Sequence, residues 1–212
     1  MIEHIVFDFG GVLLELDYEA TWSGLRACLG LEHLEDKNLQ EALVNYEVGR
    51  ISEDDFVAFL LSASKKETNH AQITNAWNAM LGPLPSHRLT MLRELATRYQ
   101  IHLLSNTNKT HIDFVYSYLQ NEYNIVDFGE EYFSNHYYSH LIHMRKPDRE
   151  IYEHVISDIG ASPDHVLFID DNKDNIESAC DYGIRGVHHD PVLDVNEVVQ
   201  RYIRHPYSNK NH

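Results

Sequence analysis

Residues Ile5-Val6-Phe7-Asp8-Phe9-Gly10-Gly11-Val12 decide the reading of this chain. Three apolar residues in unbroken succession end on a carboxylate, and two glycines follow closely. A short all-apolar run reads as a strand buried on both faces, as in parallel sheets, with Asp8 at its carboxyl end. Three further runs have the same build: Ile101-His102-Leu103-Leu104-Ser105, Val166-Leu167-Phe168-Ile169-Asp170 and Ile184-Arg185-Gly186-Val187. Tyr137-Tyr138-Ser139 is a candidate fifth. Between them Leu89, Leu92, Leu95 and Tyr99, then Tyr152, Val155, Ile156 and Ile159, then Val195, Val198, Val199 and Tyr202 keep helical spacing. Strand alternating with helix predicts an α/β fold, a doubly wound parallel sheet. Such sheets gather their ligands at the carboxyl ends of the strands.

The alternation breaks once. Between Leu14 and Ile101 four helical stripes replace the strands. They are Trp22, Leu25 and Leu29 before Gly30; Leu39, Ala42, Leu43 and Tyr46 before Gly49; Phe56, Phe59, Leu60 and Ala63; and Ile73, Ala76, Trp77 and Met80 before Gly82-Pro83. The third opens with Ser52-Glu53-Asp54-Asp55, close to a capping box. This predicts a helical-bundle cap over residues 16–83, inserted into an α/β core of residues 1–15 and 84–212. The tail from His205 to His212 reads as frayed.

The composition narrows the partners. With 212 residues, 43% apolar and 24% charged, the chain suits one domain carrying a modest insertion. Its 33 acidic and 17 basic residues give a net charge of −16, which opposes binding to nucleic acid or an anionic membrane but suits a divalent cation. Fifteen histidines offset part of that charge below about pH 6.5. Cys28 and Cys180 share no metal-type spacing, which fits a reducing compartment. No apolar stretch approaches the roughly 20 residues of a membrane span, and Met1-Ile2-Glu3-His4 lacks a signal-peptide layout. A cytoplasmic protein, monomeric or homodimeric, is expected.

Chemistry concentrates at the strand ends. If the strands ending in Asp8 and in Asp170-Asp171 are neighbours, about 4.8 Å apart, three carboxylates converge. Like charges that close repel unless a cation neutralises them, and Mg²⁺ favours one or two carboxylates with water and phosphate oxygens. Read separately, Asp8 also suits a turn and Asp170-Asp171 a helix cap. Ser105-Asn106-Thr107 ends a third strand, where a hydroxyl and an amide can hold an oxyanion or cap the next helix. Lys146, in Arg145-Lys146-Pro147-Asp148, precedes another helix; it can hold a phosphate or lie solvated at the surface.

Taken together, Asp8-Phe9-Gly10, Ser105-Asn106, Lys146-Pro147 and Asp170-Asp171-Asn172 resemble the motif set of the haloacid dehalogenase superfamily, in particular its capped phosphatase-type members. The resemblance also takes in Glu47-Val48-Gly49-Arg50-Ile51-Ser52 and covers nearly the whole chain. It implies that Asp8 is a nucleophile forming an aspartyl-phosphate, that Ser105 and the Asn106 backbone hold phosphoryl oxygens, and that Lys146 balances charge between Asp8 and the phosphate. It implies Mg²⁺ on Asp8, Asp171 and the Gly10 carbonyl, with Asp170 as a ligand or one layer behind. The small phosphorylated substrate is then a sugar phosphate such as a hexose 1-phosphate.

One departure matters. Most family phosphatases carry a second aspartate two residues past the nucleophile, and here that position is Gly10. Losing a general acid/base costs about 10²–10⁴-fold. Three readings follow: a substrate with a readily departing oxygen, such as a sugar 1-phosphate; a 2-haloacid dehalogenase, against which the Asp170-Asp171 pair speaks; or a non-catalytic protein that binds phosphorylated ligands. Tyr46, Glu47 and Arg50 in the cap are specificity candidates, and Arg145 steers the dianion. His136, His140 and His143 are set aside as a second metal site. Trp22 and Trp77 are expected in the cap core, and His188-His189 at the surface.

Overall fold

The computed structural model describes residues 1–34 and 37–204, so the segment from His205 to His212 lies outside the described residues. Strand β1 (His4–Phe7) is followed by four helices: α1 (Tyr18–Leu29), α2 (Lys37–Glu47), α3 (Glu53–Ala63) and α4 (His70–Asn78). The chain then runs through α5 (Ser86–Ala96), β2 (Gln100–Ser105), α6 (Lys109–Tyr123), α7 (Phe128–Tyr132), β3 (Asn135–Tyr138), α8 (Ser139–Ile142) and α9 (Arg149–Ile159). It closes with β4 (Val166–Asp170), α10 (Lys173–Tyr182), β5 (Arg185–His188) and α11 (Val195–Arg204).

The five described strands form one parallel sheet in the order β3-β2-β1-β4-β5. The chain winds outward from β1 through β2 to β3, then crosses to β4 on the other side. That reversal leaves the carboxyl end of β1 at the switch point. Phe7 pairs with Leu103 on one side and Ile169 on the other, which brings Asp8 level with Asp170. Side chains alternate across the sheet. Ile5, Phe7, Leu103 and Ile169 join one apolar cluster with α5, α6 and α11, and Val6, Leu104 and Phe168 join a second with α9 and α10. Burial on both faces is why these strands read as unbroken apolar runs.

Helices α1 to α4 have an apolar cluster of their own, built from Leu25, Leu29, Leu39, Tyr46, Phe56, Leu60, Ile73 and Trp77. Each such side chain contributes about 1.5–3 kcal/mol when removed from water. The capping box expected at Ser52 is present: Ser52 Oγ accepts from Asp55 N at 3.1 Å and Asp55 Oδ2 accepts from Ser52 N at 3.1 Å. A cap of this kind is worth about 1 kcal/mol. Two chain segments connect this helical group to the sheet, and they run side by side. Glu15 N donates to Pro83 O at 3.0 Å, Gly82 N to Glu15 O at 2.9 Å and Asp17 N to Met80 O at 2.8 Å.

One expectation needs correction and another needs extension. His188 is exposed, but His189 is fully buried. Its N–H continues the β4–β5 ladder onto Asp170 O at 2.9 Å, so the alternation of the strand carries one residue further and turns His189 inward. Trp77 packs in the helical cluster as expected and Trp22 lies against it, yet both also line the cavity described below. No helix among the described residues is long and apolar enough to cross a membrane.

Candidate active site

Lys146 organises the site. It arrives from the loop between α8 and α9 and is 1% exposed. Its ammonium lies 2.7 Å from Asp8 Oδ1 and 2.7 Å from Asp170 Oδ2, and it donates to Leu104 O at 2.9 Å. All three donors of the ammonium are therefore used, which is the condition for burying such a charge. The loop is held by Asn106. Asn106 Nδ2 donates to Lys146 O at 2.8 Å, and Lys146 N donates to Asn106 Oδ1 at 2.9 Å.

The three carboxylates do different things. Asp170 is fully buried, and besides Lys146 it accepts from Asn172 N at 2.8 Å and from Asn175 Nδ2 at 3.0 Å. Its oxygens are thus committed to the protein. Asp8 accepts from Phe9 N at 2.7 Å and from Lys146, and otherwise faces the cavity. Asp171 is half-buried and also lines the cavity. One oxygen from each of the three lies within 4.8 Å of the others.

The electrostatics of the site favour a cation. Burial pushes the Asp8 carboxyl up to about 8; Lys146 holds it back, while Asp170 and Asp171 push it further up. Burial and Asp170 also raise Asp171. Burial pulls the Lys146 ammonium down, but Asp170 and Asp8 outweigh it and the net shift is upward. One ammonium does not balance three carboxylates, and hard oxygen donors this close suit a Mg²⁺-type ion. Asp8 and Asp171 have the uncommitted oxygens. Gly11 makes room for Asp171: it has φ +72°, and a Cβ there would lie 2.3 Å from Asp171 Oδ2.

A cavity of about 370 Å³ opens above these groups, between the strand ends and helices α1, α2 and α4. Ser105 and Asn106 line its floor with Asp8, Gly10 and Lys146. Because both ends of the Asn106 amide are committed to the Lys146 backbone, its side chain holds the loop rather than facing a ligand. Position 10 is crowded as well as bare: a Cβ there would meet Leu16 Cδ1 at 2.5 Å.

The specificity candidates separate. Glu47 lines the cavity and pairs with Arg145, Nε to Oε1 at 2.6 Å, and Arg145 lines it too. Tyr46 is buried, stacked on Phe56 at 4.7 Å with its hydroxyl against Thr110, and does not line the cavity. Arg50 is exposed and likewise outside it, with Nη1 3.5 Å from Asn45 Oδ1. The turn after α2 is docked on the sheet side instead. Ser139 Oγ lies 2.6 Å from Glu47 O, and His143 Nδ1 lies 2.9 Å from Val48 O.

Several lining residues escaped the sequence reading. On α2 Gln40 and Val44 face the cavity, in line with Leu43 and with the specificity candidate Glu47, beside the buried stripe of Leu39, Ala42 and Tyr46. Such a stripe, polar at both ends, reads as a solvent face. His111 lines the cavity with both ring nitrogens engaged: Nε2 is 3.1 Å from Trp77 O and Nδ1 is 3.2 Å from Asn108 Nδ2. Burial holds it down at about 4, hence neutral. Tyr18 contributes a phenol, pushed up to about 12 by burial and by Asp171, and so a donor.

The sequence profile of the haloacid dehalogenase-like hydrolases matches residues 2–181. The chain belongs to that family. A D-ribitol-5-phosphate phosphatase from Bacteroides thetaiotaomicron is 30% identical over 193 residues, covering 86% of this chain and 89% of the relative. A haloacid dehalogenase family enzyme of the same organism, solved as a magnesium complex, superposes with a TM-score of 0.85 at 30% identity, over 94% of this chain and 98% of the other. That enzyme has also been solved with magnesium and inorganic phosphate. A family hydrolase from Porphyromonas gingivalis superposes with a TM-score of 0.84 at 29% identity, over 96% and 98% of the two chains.

Proposed function

We propose that this family member is a Mg²⁺-dependent phosphatase of small phosphorylated metabolites, a sugar or polyol phosphate such as a hexose 1-phosphate, with residues 16–83 serving as a cap over a core of residues 1–15 and 84–212. The observation that carries the reading is the Lys146 ammonium bridging Asp8 and Asp170 at 2.7 Å each, on the floor of a cavity that Ser105 and Asp171 also line. The phosphatase relative and the magnesium-bound structural relative support it.

Asp8 is the nucleophile. Its free oxygen attacks phosphorus, the ester P–O bond breaks and an aspartyl-phosphate forms. Lys146 keeps Asp8 oriented and offsets charge shared between the carboxylate and the phosphoryl group. Ser105 donates its hydroxyl to a phosphoryl oxygen, and Asp170 keeps the Lys146 ammonium in place. A divalent cation on Asp8, Asp171 and the Gly10 carbonyl would supply further positive charge at the phosphoryl oxygens. Position 10 provides no proton, so the departing oxygen takes one from water in the cavity or leaves as a stabilised anomeric oxygen. Water then attacks phosphorus of the aspartyl-phosphate, releases inorganic phosphate and restores Asp8.

The test is a panel of phosphorylated metabolites assayed with Mg²⁺ and with chelator. Phosphate release that needs Mg²⁺ and is abolished by Asp8→Asn, in a protein that keeps its circular dichroism, is the expected result. Wild-type turnover by Asp8→Asn would remove the nucleophile assignment. Chelator-resistant release would remove the metal.

A further inference from the structure

Two side chains supply the lysine and arginine charges lining the cavity, and the fold has already committed both. Lys146 spends its three donors on Asp8, Asp170 and Leu104 O. Arg145 extends from the same loop toward the helical segment, where Glu47 at the end of α2 takes its Nε at 2.6 Å. Both partners of that pair are about two-thirds buried at the rim. His111 has both ring nitrogens occupied. Beyond the phosphoryl site the wall offers Gln40, Leu43, Val44 and Trp22, which are neutral.

A ligand carrying a second anionic group would therefore meet no unpaired cation among the described lining residues. It would meet the Glu47 carboxylate, and an Arg145 whose Nε is taken and whose charge that carboxylate already offsets. We propose that Glu47 is a specificity-determining residue that occupies Arg145, so that the substrate is the monophosphate of a neutral alcohol, and phosphorylated carboxylic acids and bisphosphates are rejected. Selection of this kind works by withholding a partner from the wrong ligand rather than by adding a contact to the right one. The inference rests on the phosphatase reading above and deepens it.

The experiment uses matched pairs of esters: glycerol phosphate against phosphoglycerate, glucitol phosphate against phosphogluconate, and a hexose monophosphate against its bisphosphate. Wild-type protein is expected to favour the neutral member of a pair by about tenfold or more in kcat/KM. Glu47→Gln keeps the shape and frees the guanidinium, and should narrow that ratio by about tenfold. The double variant Glu47→Gln/Arg145→Gln removes the freed cation and should widen the ratio again. Equal turnover of both members by wild type overturns the inference. So does a ratio unchanged in a folded Glu47→Gln protein. The wild-type comparison decides the matter by itself should the variants not fold. Absence of phosphate release from every member of every pair overturns the phosphatase reading itself, and the selectivity with it.

Discussion

The side-chain amide of Asn106 closes a two-way bridge onto the backbone of Lys146, donating to its carbonyl at 2.8 Å and accepting from its N–H at 2.9 Å. Asn106 follows β2 and Lys146 follows α8, so a residue at one strand end sets the height of an ammonium delivered from elsewhere. Any effect of Asn106 on the site thus passes through Lys146.

Asn106→Ala should accordingly lose activity by positioning. A shift of about 1 Å in a catalytic group costs on the order of 10²-fold, so a drop of 10- to 100-fold in kcat is expected, with about 1–2 kcal/mol of stability. Asn106→Asp keeps the acceptor but sets a carboxylate oxygen against Lys146 O, and should be no milder. Urea titration beside kinetics separates the two effects. A variant that loses stability but keeps kcat would show that the bridge only holds the loop.

Gly11→Ala should weaken metal binding more than it weakens folding. The added methyl meets Asp171 Oδ2 at 2.3 Å and the residue has φ +72°. The left-handed backbone alone costs about 1–2 kcal/mol. Gly160 is the control, because it has φ +65° with nothing within 4 Å of an added Cβ. Both variants should lose comparable stability. Gly11→Ala alone should raise the Mg²⁺ needed for half-maximal activity, by tenfold or more if one carboxylate ligand is displaced. Equal metal dependence in the two variants would place Asp171 outside the metal site.

Much of this was legible from the residues. Unbroken apolar runs mark strands buried on both faces, and Asp8, Ser105 and Asp170 each sit at or beside such a strand end, where a parallel sheet collects function. Lys146 was legible as a motif but not as a position. Its burial depends on Asn106, 40 residues earlier, and on Leu104 O. Of the cavity-facing stripe of α2 Glu47 was legible through its motif, while Gln40 and Val44 were hidden because a helix with two neighbours shows two stripes and the second is polar at both ends. Tyr46 and Arg50 flank Glu47 in sequence, yet the helix turns one into the apolar cluster and the following turn sends the other to solvent.

Acid should destabilise the fold through buried neutral histidines. Burial holds His102 and His111 each at about 4, against 6.5 for the free side chain. The unfolded chain binds more protons between those values, so the stability present above pH 6.5 is lost as pH falls toward 4. The slope is about 1.4 kcal/mol per pH unit for each histidine. Asp8 and Asp171, held above the usual carboxylate range, act with the opposite sign, so the comparison is made between variants. Between pH 7.5 and pH 5.5, His111→Gln should lose about 1.4 kcal/mol less than wild type in urea titrations. Parallel losses in the two proteins would mean that His111 is not held neutral.

Lys146→Met should do the most damage and steepen the pH response at the site. The variant leaves Asp8 and Asp170 facing each other without the ammonium that now lies 2.7 Å from both. Removing one partner of a buried ion pair costs about 3–5 kcal/mol, because the remaining charge stays desolvated. The deficit should shrink as pH falls, since a proton shared between the carboxylates does part of what the ammonium did. Added Mg²⁺ should recover only some of the loss. An ion can draw on Asp8 and Asp171, whereas the Asp170 oxygens are taken by Asn172 N and Asn175 Nδ2. Urea titrations of Lys146→Met at pH 8 and pH 5, with and without Mg²⁺, check both statements. Wild-type stability at pH 8 would show that Asp8 and Asp170 do not need the ammonium, and full recovery with Mg²⁺ would show that Asp170 is itself free to bind the ion.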